Sequence, residues 1–224
     1  MGPRPWRLTG ECIVGLARGG GGRKALPADI ESLPGPRLVL GAQYDESPVG
    51  PYRELAVAEP ARLGTRVGMC VTTMVVTTAE SRRAGRANWG LPKELGTLEW
   101  LHDGDARVLR WLERDVVLRA TPVGLPLPAL VPFRTLQRRA DGPVSALARV
   151  RGLARPAKLE VTVPDHDPLS WLAGGHLGTV VSSARLVMGE ACPPETAAVL
   201  RRAARRASRS APEPALSSVS HPGD

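Results

Sequence analysis

Lys93 stands in the stretch RANWGLPKELGTLE (residues 86–99). It is one of only three lysines, with Lys24 and Lys158, in a chain of 27 arginines. A chain that supplies positive charge as arginine keeps a lysine here for what arginine cannot do. The guanidinium stays protonated at any relevant pH, whereas a lysine amine placed in an apolar or cationic setting can give up its proton. A neutral amine adds to a ketone, and after loss of water the protonated imine draws electrons from the neighbouring carbon. Trp89, Leu91 and Leu95 surround Lys93 with apolar surface, and Arg86 lies seven residues upstream. These neighbours predict an amine held in a cavity, one that loses its proton more readily than a free lysine.

Other reactive side chains form weaker patterns. Glu46, in YDESPVGPY, can act as an acid, cap a turn or pair with Arg53. His102, His166 and His176 lie in turn-like HDGD, PDHDP and GGHLG, without metal-ligand spacing. Cys12, Cys70 and Cys192 are odd in number and far apart, which suits a reducing interior better than a disulfide framework. There is no glycine-flanked serine elbow and no dinucleotide fingerprint. Gly19 to Gly22 lack the lysine-serine or lysine-threonine ending of a phosphate loop and read as a flexible loop.

The elements that must position Lys93 are mostly strands. RLVLGAQY, YRELAVAEP and RVGMCVTTMVVTTA are short, rich in Val, Thr and Leu, and divided by Gly and Pro. TLEWLHDGDARVLRWLERDVVLRA predicts a hairpin turning at Asp103-Gly104, with Trp100 and Trp111 on opposite arms. FRTLQRRADGPVSALARV repeats the pattern at Asp141-Gly142, and KLEVTVP and GTVVSSARLVMGEA close the series. Two helices are expected, a short polar one over Ala79 to Asn88 and a basic one over Pro194 to Ala207. Many short strands with few helices predict one antiparallel, strongly curved or closed sheet, without a doubly wound βαβ alternation.

At 224 residues and 42% apolar composition, the chain supports one well-buried core. The reading divides it into one domain over residues 1–207 and a Ser- and Pro-rich disordered tail over 208–224. No apolar stretch reaches the ~20 residues that span a bilayer, and the first residues lack a signal-peptide core. A cytoplasmic protein with no membrane partner is expected. Residues 201–209, RRAARRASR, supply five arginines toward the net charge of +8. No nucleic-acid-binding motif accompanies them, so no nucleic-acid partner is expected.

Together these motifs resemble the acetoacetate decarboxylase family. Gly85-Arg86 through Pro92-Lys93-Glu94-Leu95 is similar to that family's glycine-arginine…proline-lysine-lysine-leucine segment. Tyr44-Asp45-Glu46-Ser47 resembles its tyrosine-x-glutamate-serine stretch, and DPLSWL (167–172) with GTVVSSARLVMG (178–189) its closing region. The resemblance covers about residues 37–190 and implies a mainly β fold, a single antiparallel, strongly curved β-barrel around an apolar cavity. It implies a Schiff base between Lys93 and a small keto acid, with decarboxylation or related aldol or dehydration chemistry. Glu46 would be the acid beside the lysine and Arg86 the accompanying cation, with Trp89, Leu91 and Tyr44 in the substrate pocket. No metal or organic cofactor is implied, and a homo-oligomer is. The chain departs from the family pattern at Glu94, which replaces a second lysine. Successive residues of an extended segment face opposite sides, so Glu94 is expected to point away from the cavity. The alternative is a non-catalytic binder of a small acid or apolar ligand on the same barrel.

Overall fold

The fold is that of a computed structural model, which describes residues 5–18 and 26–193. The glycine run, Lys24, the helix expected over 194–207, the tail and the boundary between them lie outside the described residues.

Strand β1 (Trp6–Ala17) is followed by β2 (Glu31–Ser32), β3 (Arg37–Glu46), β4 (Tyr52–Leu63) and β5 (Arg66–Val76). Helix α1 (Ala79–Trp89) leads into β6 (Lys93–Leu95), then β7 (Leu98–Asp103), β8 (Ala106–Trp111) and β9 (Val116–Pro122). The series ends with β10 (Leu127–Arg139), β11 (Gly142–Thr162) and β12 (Gly174–Met188).

Hydrogen bonding runs β10–β5–β4–β3–β1–β12–β11 and returns to β10, so seven strands form a closed ring. The ring closes between β5 and β10 through one parallel pair, Met69 with Thr135. The first half of the long β11 pairs with β10, and its second half pairs with β9. Strands β9, β8 and β7 continue from there as a flap. The fold is thus mainly β, on one curved and mostly antiparallel sheet, as expected.

Five strands, β4, β3, β1, β12 and β11, form a wall with a core on each face. Strand alternation sends residues two apart to the same face. On β4, Tyr52, Ala56 and Ala58 enter the ring core, while Leu55 and Val57 enter the core under the flap. The flap core joins Ile13, Val39 and Leu55 to Leu98, Leu109 and Leu118. Gly41 allows that closeness, since a Cβ there would meet Leu109 Cδ2 at 2.9 Å.

Several local expectations shift. The first hairpin turns at Gly104-Asp105, between the paired Asp103 and Ala106, with Gly104 at φ 57°. The second turns one residue early instead, at Ala140-Asp141, since Arg139 pairs with Gly142. The segments expected as separate strands around residues 150 and 158 are one strand of 21 residues; Gly152 pairs with Ala129 of β10 where the pairing with β12 shifts register, and Pro156 pairs with Thr179 of β12. β1 carried no strand expectation, although its buried positions alternate. A helical crossover, β5–α1–β6, makes β6 parallel to β5. Among the described residues no helix is long and apolar enough to cross a membrane.

Candidate active site

Lys93 is delivered by a helix, a sharp stop and a three-residue strand. Thr78 caps α1 by accepting from the Ser81 amide, and Glu80 in the first turn suits the helix dipole. Gly90 ends the helix at φ 68°, a left-handed conformation that favours glycine, and its amide bonds Arg86 O. Pro92 cannot continue a helix, and Lys93 pairs opposite Met74 on β5. The lysine side chain then runs along α1 at Gly85, where an added Cβ would lie 2.6 Å from Lys93 Cδ. Gly85 therefore leaves the groove that the lysine occupies.

The amine is 3% exposed at the ring core. Its Nζ donates to Glu54 Oε2 at 2.9 Å and to Ser81 Oγ at 3.0 Å. The Tyr52 ring lies 5.0 Å from the same nitrogen, within cation–π range. Burial, and then the charge of Glu54, push the Tyr44 and Tyr52 phenols well above the ordinary tyrosine range. Both remain protonated and hydrogen-bond the Glu54 carboxylate, while Ser81 bonds the Tyr52 oxygen. A buried carboxylate needs such donors, because its desolvation is costly otherwise. Burial also pushes the Cys12 thiol, in the same core, up to about 12, which leaves it inert as a nucleophile.

The expected residues divide. Trp89, Leu91 and Tyr44 join Lys93 in the ring core. Trp89 meets Trp6 edge-on at 5.0 Å and donates from Nε1 to Gly189 O at 2.8 Å, which anchors the end of α1 to the chain after β12. Glu94 is exposed on the side opposite the buried Lys93. Arg86 is exposed, and its Nε donates to the Lys93 carbonyl at 2.7 Å, so it grips the backbone beside the amine. A solvent-open hollow of about 590 Å³ lies beside it on the far side of α1, apart from the amine.

Glu46 is exposed at the end of β3 and accepts from Thr9 Oγ1 at 3.2 Å. The acid on the amine is Glu54, which pairs across the sheet with Ala42. Glu46 lies four residues along β3 from Ala42, about 13 Å at about 3.3 Å per residue. Sequence reasoning missed Glu54, Ser81 and Tyr52. One signal for Glu54 was available: it is an acid inside the apolar run of YRELAVAEP, where a charge requires a partner.

The sequence profile of the acetoacetate decarboxylase (ADC) family matches residues 22–160, and the chain belongs to that family. No curated protein matches the sequence. Among solved structures, acetoacetate decarboxylase from Legionella pneumophila is 18% identical, with a TM-score of 0.62 over 84% of this chain and 86% of its own. An acetoacetate decarboxylase-like enzyme from Sphingomonas wittichii is 14% identical, with a TM-score of 0.58 over 85% and 92%. The enduracididine biosynthesis enzyme MppR, in its complex with pyruvate, is 16% identical, with a TM-score of 0.56 over 85% and 89%. At these identities the structural likeness shows the fold alone.

Proposed function

We propose that this chain is a Schiff-base enzyme acting on a small keto acid, with Lys93 as the nucleophile. The observation that carries the reading is the buried contact of Lys93 Nζ with Glu54 and Ser81 in an apolar core. Glu54 takes the role expected of Glu46: it accepts the proton that Lys93 must lose before attack. The neutral amine adds to the ketone carbon, and water leaves to give the iminium. The bond to the carboxylate carbon then breaks, carbon dioxide departs, and its electron pair moves to the iminium nitrogen as an enamine. Protonation at carbon and hydrolysis return the ketone and the free lysine. Aldol or dehydration chemistry would draw on the same iminium and enamine. Tyr44 and Tyr52 hold the Glu54 carboxylate in place, Arg86 fixes the backbone at Lys93, and Trp89 and Leu91 exclude water.

Borohydride reduction after incubation with acetoacetate tests this directly. The expected product is a secondary amine at Lys93, located by peptide mass spectrometry. An adduct on Lys24 or Lys158 contradicts the site. A charge-paired amine is also what a non-reacting small-acid binder would hold, and ligand binding without any adduct would select that second reading.

A further inference from the structure

The ring core changes character along its length. At the Lys93 end it holds Glu54, Tyr44, Tyr52 and Ser81. Moving away along the wall, the next inward-facing row is Leu40, Ala56 and Val14, and the row beyond it is Leu38, Ala58 and Leu16. On these three strands neither row contains a charge; beyond β1 the far row continues through Leu177 to the exposed Lys158. Across the ring, β10 and β11 continue the same face with Val131 opposite Val150 and Leu127 opposite Ala154. Val14, Leu38, Leu40, Val150 and Ala154 pack against the ring core yet stay partly exposed, while Leu16, Leu127 and Val131 are exposed. Ala56, Ala58 and Ala154 project far less side chain into the ring than the Leu and Val residues that fill the flap core.

This face is concave, because the strands around it bond in a closed ring. It is continuous with the amine, so its natural occupant is a slender group attached to whatever reacts there. From Ala42, opposite Glu54, to Leu38 is four residues of strand, about 13 Å, which accommodates an extended chain of about ten carbons.

We infer that the Lys93 site takes a carbonyl compound bearing an extended apolar chain, which lies in the ring from Glu54 toward Leu38 and Leu16. This specificity rests on the Schiff-base reading for its reactive end and on the ring interior for its tail. Each buried methylene strengthens binding about fourfold, so chain length is the sensitive variable.

The experiment compares half-saturation for borohydride trapping with acetoacetate and with 3-oxodecanoate. The expected result is at least a tenfold lower half-saturation for the long acid. Val14→Phe, which fills the middle row at a partly exposed position, should bring the long-to-short ratio close to one. Leu40→Ser, which removes apolar surface without adding bulk, should lower the same ratio. An equal or weaker response to 3-oxodecanoate, or a ratio that neither variant changes, overturns the inference. If no keto acid is trapped, the Schiff-base reading fails by itself, and calorimetry with decan-2-one then decides the tail site. Binding that Val14→Phe weakens supports the channel, and no binding overturns it. The channel is likewise overturned if these variants alter self-association in sedimentation and leave ligand binding unchanged.

Discussion

One wall of five strands carries two cores, and they are built from different materials. The flap core is mostly Leu, Val, Ile and Trp, with Leu109, Leu118 and Val39 fully buried. The ring core, on the other face of the same strands, mixes alanines and aromatics with Glu54 and Lys93. Leu55 and Glu54 are chain neighbours and point into opposite cores. The flap core holds the wall in shape by close packing. That rigidity lets the ring face carry an ion pair whose burial costs free energy. Ionic residues also hold the flap side: Arg37, stacked on Trp171, forms a buried pair with Glu59 at 3.5 Å, and at the rim Arg114 grips Asp167 through two hydrogen bonds and stacks on Trp111.

The largest difference between the cores should come from Lys93→Met. Trapping is lost completely, and the unpaired Glu54 destabilises the fold by about 3–5 kcal/mol. Adding Glu54→Gln should recover most of that stability in denaturant titrations and none of the trapping. A single variant as stable as wild type would show that the pair contributes nothing to the ring core.

Gly85→Ala comes next. It improves helix propensity by up to about 1 kcal/mol, but the new methyl collides with the lysine stem. Displacing the amine by about 1 Å should slow imine formation on the order of a hundredfold. Stopped-flow measurement of imine formation checks this, and an unchanged rate would remove Gly85 from the positioning of Lys93.

Leu109→Ala probes the other core, with an expected loss of about 2–5 kcal/mol in stability. Trapping per folded molecule should persist at low temperature. If it disappears while the protein stays folded, the two cores are not separable.

The smallest effects are in pH dependence, with opposite signs for the two regions. The Tyr44 and Tyr52 phenols are raised in the folded state, so they contribute stability below the ordinary tyrosine pKa of about 10. That contribution is lost as pH rises, because the unfolded chain ionises first. Asp167 is lowered: although burial raises it, bonds from Arg114 and the Leu169 amide outweigh that. Its contribution is present above the ordinary carboxylate pKa of about 3.9 and is lost as pH falls through the folded value. Asp167→Asn should flatten the acid limb of a stability profile, and Tyr44→Phe should reduce the alkaline limb. An alkaline limb that does not respond to Tyr44→Phe would remove that phenol from the account.

Much of this was legible in the chain because it is local. The rarity of lysine singled out Lys93, and Thr78, Gly90 and Pro92 bounded α1. Alternating apolar residues gave β3, β4 and β5, and opposite sides for successive residues gave the outward Glu94. What the tertiary structure decided was depth. Glu46 and Glu54 both have the parity of the ring face, since Tyr44 pairs with Tyr52, but they lie at different levels of the sheet. Which level receives the amine depends on where β6 lands on β5, and that pairing of Lys93 with Met74 is set by helix packing across the chain. Ser81 reached the amine for the same reason, from a helix face whose polarity in sequence suggested solvent. Periodicity specifies a face of a strand, because side chains alternate by geometry; the position along that face is fixed only when distant segments pack together.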